Sequence, residues 1–168
     1  MMIRKVMMMG EMGVGKTSIV NQLVFKQFSA DYNASIGTDV YQYECRPTPE
    51  SDPVLLNVWD TDGSYGEAIF KSVYIRGAHG AIIVGDVTRQ RTLETMSKLA
   101  DTFERELPGR HFTCVLNKCD LLGPDDEIAL PQSMVERRLP HVRTSALSGE
   151  NVEAVFRTAA QTMVRRGF

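Results

Sequence analysis

Apolar and polar positions along the chain change period several times, and each change marks an element. Val6-Met7-Met8-Met9 is a short unbroken apolar run, read as a buried strand that a glycine-rich turn at 10–15 ends. Ile19, Val20, Leu23 and Val24 then recur at the spacing of one helix face. Residues 38–46 and 54–59 read as two strands joined through Pro47, Pro49 and Pro53. With no helix between them, they are expected to pair antiparallel. A helix is expected over 66–76. Ala81-Ile82-Ile83-Val84 has the continuous apolar character of a strand buried on both faces.

Leu93, Met96, Ala100, Phe103 and Leu107 mark an amphipathic helix closed by Pro108-Gly109. Residues 112–116 read as the next strand, 131–138 as a short helix opening at Pro131, and 141–144 as a last short strand. Asn151 is the expected N-cap of a final helix with the stripe Val152, Val155, Phe156, Ala159 and Met163. Such alternation predicts an α/β fold. It would hold a six-stranded, mostly parallel sheet with one antiparallel strand and about five helices on its two faces. A length of 168 residues predicts one domain spanning 1–168. In sheets of this kind ligands bind at the carboxyl ends of the strands, which directs attention to the loops there.

Composition narrows the function classes. Lys plus Arg (19) against Asp plus Glu (21) leaves a net charge of -2, so no basic excess points to a nucleic-acid partner. Cys45, Cys114 and Cys119 are few, odd in number and not in metal-ligand spacing, which favours a reducing compartment, and the expectation is a cytoplasmic monomer. No apolar run approaches the ~18 residues of a membrane span. Nor do Met2 or the final Arg165-Arg166-Gly167-Phe168 carry a lipidation signal, so no intrinsic membrane anchor is expected.

Three motifs carry the chemistry. Gly10-Glu11-Met12-Gly13-Val14-Gly15-Lys16-Thr17 matches G-x-x-x-x-G-K-[ST] between a strand and a helix. Its glycines let backbone amides converge on an anion, Lys16 can reach β- and γ-phosphates, and the Thr17 hydroxyl can ligate Mg²⁺. Asp60-Thr61-Asp62-Gly63 follows the third strand. There Asp60 can hold Mg²⁺ through water, and Gly63 can bring an amide to the γ-phosphate. Asn117-Lys118-Cys119-Asp120 ends the fifth strand, where the Asp120 carboxylate can accept from the N1-H and 2-amino group of guanine. Adenine lacks both donors and would leave that carboxylate unpaired, a difference that can discriminate by ~10⁴-fold. Backbone around Ser145-Ala146-Leu147, at the end of the sixth strand, can add an amide to guanine O6.

With these motifs in this order, the chain resembles a Ras-superfamily small GTPase over nearly its whole length and is most similar to the Rab branch. The residues at 10–18, Ser35-Ile36-Gly37-Thr38-Asp39, Trp59-Asp60-Thr61 and residues 74–80 carry the likeness, together with 117–120 and 145–147. The resemblance implies a P-loop three-layer fold, GTP/GDP and Mg²⁺ as ligands, Phe28 against the guanine ring and Ser18 beside the α-phosphate. It places Ser35 as a Mg²⁺ ligand. It also implies a first switch at 32–40 and a second at 60–76, with effector, exchange factor and activating protein engaged through residues 32–41 and 60–76.

Departures from the family pattern bear on catalysis. Ser35 stands in place of threonine, and Ser64 in place of the glutamine that orients the attacking water. Tyr65 replaces a glutamate, Asp62 a small residue, and Met12 a small residue over the γ-phosphate. Val40 replaces an aromatic of the partner-reading surface, whereas Trp59 and Tyr74 keep the other two. The expectation is a guanine-nucleotide switch that hydrolyses GTP slowly unless assisted, with Lys16 and Ser64 as the catalytic candidates. The competing reading is a GTP-bound binding module whose hydrolysis is nearly lost.

Overall fold

The central strand β1 (Met2–Met9) begins four residues before its buried run, because residues 2–5 pair with a neighbour. Met2 to Met8 run parallel to Val54 to Asp60 of β3 (Val54–Thr61). The computed structural model describes residues 1–29 and 37–167. After β1 come α1 (Lys16–Phe25), β2 (Thr38–Cys45) and β3, then β4 (Gly80–Asp86), α2 (Gln90–Glu106) and β5 (His111–Asn117). The chain closes with α3 (Gln132–Glu136), β6 (His141–Arg143) and α4 (Val152–Arg165). The sheet order is β2-β3-β1-β4-β5-β6. As the short proline-rich connection predicts, β2 and β3 pair antiparallel, while the other neighbours run parallel.

Side chains of β1 alternate between two core layers. Val6 and Met8 join Ile19, Val20 and Leu23 of α1 and Val155, Phe156 and Met163 of α4 on one face. Met7 and Met9 join Leu93, Met96 and Phe103 of α2 and Met134 of α3 on the other. Helices on both faces therefore bury residues 6–9 of β1 and all of β4, which is why these stretches are apolar without alternation. The parallel strands end on one side of the sheet, and the three motifs follow β1, β3 and β5 there.

Two local expectations are corrected. Residues 66–76 do not form an α-helix; they lie in 3₁₀ segments, Gly63–Lys71 and Val73–Ile75. Gly66, at φ 48° and ψ -132°, breaks the first, and extended Ser72 separates the two. Asn151 does precede α4, but in the left-handed region at φ 58° and with no side-chain cap. Its amide instead donates to the Arg143 carbonyl at 2.9 Å, fastening the helix start to β6.

Candidate functional site

The turn between β1 and α1 has its carbonyls held one by one. Lys16 Nζ donates to Gly10 O at 2.9 Å and to Glu11 O at 2.8 Å. Arg89 Nη2 donates to Met12 O at 3.0 Å, Lys118 Nζ to Gly13 O at 2.8 Å, and Asn117 Nδ2 to Val14 O at 3.0 Å. A trans peptide sets its N–H opposite its C=O, so each held carbonyl turns the following amide away from its donor. Gly15 closes the turn at φ 102°, and a Cβ there would lie 2.3 Å from Asn117 Nδ2. Only glycine meets both demands. Burial pushes the Lys16 ammonium down to about 8, against the pull of the Asp60, Asp62 and Glu11 carboxylates.

At the end of β3, Asp60 is 1% exposed, and its Oδ2 accepts from the Thr17 hydroxyl at 2.5 Å. Asp60 Oδ1 is buried with no hydrogen-bond partner among the described residues. Burial pushes this carboxyl up, opposed by the Thr17 hydroxyl and the Lys16 ammonium. Thr61 donates to Met8 O at 2.6 Å and so locks the end of β3 to β1. Asp62 Oδ1 accepts from the Ser64 amide at 2.8 Å, which holds its carboxyl below the usual range despite some desolvation. Gly63 abuts the phosphate loop: a Cβ there would lie 2.4 Å from Met12 N and 2.6 Å from Glu11 C.

At the end of β5, Asn117 Oδ1 accepts from Thr144 Oγ1 at 3.0 Å and from the Ala146 amide at 3.2 Å. Asn117, at the end of β5, thereby joins the loops that follow β1 and β6 through a single side chain. Ser145, fully buried, donates to Asp120 Oδ1 at 2.7 Å, which orients the carboxylate and leaves lone pairs on both oxygens to accept. Lys118, in the left-handed region at φ 66°, pairs with Asp86 Oδ2 at 2.7 Å. Burial raises the Asp86 carboxyl, but hydrogen bonds from Lys118, Thr88 and Arg89 outweigh it and hold the group below its ordinary value.

One cleft of about 570 Å³ joins these parts. Of the expected site residues, Met12, Gly13, Gly15, Lys16, Thr17, Ser18, Phe28, Gly63, Asn117, Lys118, Asp120, Ala146 and Leu147 line it. Thr61 and Asp62 of the second motif line it too, as do Asn21, Ser29 and Leu121, which no motif singled out. Val14 is fully buried in the core. The Glu11 side chain turns to α2, pairing with Arg91 at 3.0 Å and accepting from Thr95 at 3.0 Å. Ser145 reaches the cleft through Asp120. Ser64 is exposed and is not part of the lining. The expected Mg²⁺ ligand Ser35, with Tyr32 and Ile36 of the first switch, lies outside the described residues.

Sequence reasoning passed over Asp86 and Arg89. The signal available was a charged residue closing a strand otherwise buried on both faces, with an arginine three residues on.

The stretch expected to form the second switch packs through aromatic rings. Trp59 and Tyr74 lie 6.3 Å apart by ring centroid, and Tyr65 meets Tyr74 edge-on at 5.7 Å. Lys5 Nζ sits 3.7 Å from the Trp59 ring centroid and donates to the Tyr74 and Arg76 carbonyls. Val40, half exposed, stands opposite Trp59 on β2.

Comparison with known proteins gives a consistent picture. Residues 5–165 match the Ras family. The chain is 33% identical over 168 aligned residues to the Ypt/Rab-type GTPase ypt7 of Schizosaccharomyces pombe, covering 94% of this chain and 80% of that one. It is 30% identical over 173 aligned residues to the Ras-related protein Rab7 of Pisum sativum, covering 97% and 83%. With the Ypt/Rab-type GTPase Rab7 of Neurospora crassa the identity is 31%, over 94% and 80%.

Proposed function

The chain belongs to the Ras family, in its Rab branch, and on that premise we propose that it is a one-domain guanine-nucleotide switch. It binds GTP and GDP with Mg²⁺ and hydrolyses GTP slowly unless an activating protein assists. The observation that carries this reading is the continuity of the cleft. Lys16 and Thr17, which we read as its phosphate end, and Asp120 and Leu147, which we read as its base end, all line it. A nucleoside polyphosphate satisfies both ends at once, and an acceptor-only carboxylate at the base end suits guanine.

Mg²⁺ fits the oxygen donors present. Asp60 carries a buried oxygen without a partner among the described residues, and the Thr17 hydroxyl lies against its other oxygen. Thr17 and Ser35 would ligate the ion, and Asp60 would hold one of its waters; the ion would supply positive charge at the phosphates. Lys16 and the loop amides orient and stabilise those same phosphates from the protein side. Residues 32–41 and 60–76 form the surface for an effector, an exchange factor and an activating protein, with Trp59, Tyr65 and Tyr74 as aromatic contacts. No nucleic acid is engaged. We take the protein to act as a cytoplasmic monomer, in keeping with its three free cysteines.

Competition against a fluorescent GDP analogue tests the reading: GTP and GDP displace it, and ATP in large excess does not. Equal displacement by ATP would overturn it. The position of Ser64, exposed and away from the cleft lining, favours a second reading in which hydrolysis is nearly lost and GTP only holds a binding module in shape. Single-turnover hydrolysis with and without an activating protein separates the two.

A further inference from the structure

Beyond the three motifs, we propose that Arg89 is a positioning residue for the nucleotide phosphates, fixing the Met12–Gly13 peptide so that the Gly13 amide faces the cleft. The inference rests on the guanine-nucleotide reading above.

Arg89 stands just before α2, and its guanidinium is held at two points. Nε pairs with Asp86 Oδ2 at 3.1 Å, and Nη2 donates to Met12 O at 3.0 Å. A planar fork bound at two of its nitrogens has little freedom left to rotate. The anchor is itself fixed. Asp86 is 1% exposed, and its Oδ1 accepts from the Thr88 amide at 2.9 Å and the Thr88 hydroxyl at 2.6 Å. Its Oδ2 also pairs with Lys118.

The peptide that Arg89 holds is one that needs holding. Gly13 follows Met12 at φ 74°, and a peptide ahead of a glycine can turn over with little steric cost. Turned over, it would carry the Gly13 N–H out of the cleft and aim the Met12 carbonyl, a partial negative charge, at the phosphates. A charge-assisted bond to that carbonyl opposes the flip and polarises the peptide in the useful sense. The neighbouring peptides take their holds from motif residues: Lys16 on Glu11 O, Lys118 on Gly13 O and Asn117 on Val14 O. Among the described residues, the Met12 carbonyl alone in this stretch takes its side-chain bond from outside the motifs. A second link from the same helix, Arg91 with Thr95 on the Glu11 carboxylate, ties α2 to the loop without touching that peptide.

The test uses the full chain loaded with GDP and Mg²⁺. It combines the amide resonance of Gly13 by NMR with the release rate of a fluorescent GDP analogue. Arg89→Ala moves the Gly13 resonance upfield and speeds release by about tenfold, the loss expected of one charge-assisted hydrogen bond. Arg89→Lys, which keeps a cationic donor, recovers part of both and carries the test if the alanine variant fails to fold. Arg91→Ala, which loosens α2 from Glu11 alone, leaves the Gly13 resonance in place. Unchanged resonance and release in Arg89→Ala would overturn the proposal. So would Arg91→Ala reproducing its effects, since Arg89 would then only staple a helix. Failure of the wild-type chain to bind GDP at all would count instead against the guanine-nucleotide reading.

Discussion

Lys118 and Asp86 meet as an ion pair at 2.7 Å, and the same ammonium donates to the Gly13 carbonyl at 2.8 Å. Lys118 thus ties the end of β5 to the phosphate loop directly, and Asp86, which belongs to none of the three motifs, adds a second tie through Arg89 to Met12 O. Asp86→Asn removes the countercharge of both Lys118 and Arg89. A broken buried pair costs roughly 3–5 kcal/mol, and with Lys118 about one-third exposed the expected loss is near 2–3 kcal/mol. Urea unfolding at saturating GDP measures it, and faster GDP release accompanies it. A loss under about 0.5 kcal/mol would show that solvent screens the pair.

Asp120 is expected to govern the choice of base. Ser145 takes one lone pair of Oδ1, and the remaining lone pairs of the carboxylate can accept from a ligand. Asp120→Asn puts an amide there that can donate, so guanine nucleotides weaken and xanthine nucleotides improve. Competition binding with GDP and XDP gives the ratio, which is expected to invert. A variant that weakened both alike would show only that the site had been damaged.

Gly63 tests the contact between the second switch and the phosphate loop. A Cβ at this position would overlap Met12 N and Glu11 C, both backbone atoms that cannot swing aside. Gly63→Ala therefore forces the two segments apart. Misplacement of about 1 Å can cost on the order of 10²-fold in rate, so single-turnover GTP hydrolysis drops steeply while GDP affinity changes little. Parallel losses of both would place the clash in the loop itself.

Met12 and Ser64 are expected to limit hydrolysis together. Met12 lines the cleft and Ser64 stays outside the lining. Ser64→Gln supplies a side chain long enough to reach inward but leaves Met12 in the approach. The double change Met12→Gly with Ser64→Gln should exceed either alone in single-turnover rate. Simple additivity of the two would mean that they act on separate steps.

His111 makes stability depend on acid. It is 9% exposed and hydrogen-bonded to Thr113, and burial, with the Arg166 charge adding, pushes its imidazole down to about 4. In the unfolded chain it titrates near 6.5. Its contribution is complete above pH 6.5 and is lost as pH falls toward 4, because the unfolded chain takes up a proton that the folded one refuses. The shift corresponds to at most about 3 kcal/mol. Urea unfolding between pH 7 and 4 should show a shallower decline for His111→Gln; an identical decline would assign the acid sensitivity to carboxylates.

Much of this architecture is legible from local pattern. The apolar runs at 6–9 and 81–84 mark doubly covered strands because helices pack on both sides of them. The motifs are legible because each sits where a strand must stop and glycine, aspartate or asparagine takes over. Less legible are features set by partners far along the chain. Residues 2–5 become strand only by pairing with β3, and Asn151 gives up capping for a carbonyl on β6. The helical spacing at 66–76 cannot reveal that Gly66 interrupts it. Arg89 looks like a solvated helix start until the fold brings it to Met12, 77 residues away. Glu11, inside a phosphate-binding motif, uses its side chain on α2 instead.

Trp59 is the single tryptophan of the chain, and its ring is bracketed by the Lys5 ammonium and Tyr74, which in turn touches Tyr65. The whole indole signal of the protein therefore originates at the seam where the second switch rests on the sheet. An ammonium over the ring and a tyrosine beside it both bear on the colour and yield of its emission. Any event that lifts Tyr74 or draws Lys5 away is written into intrinsic fluorescence with no label attached. The molecule thus carries its own optical gauge of the segment that nucleotide turnover is expected to rearrange.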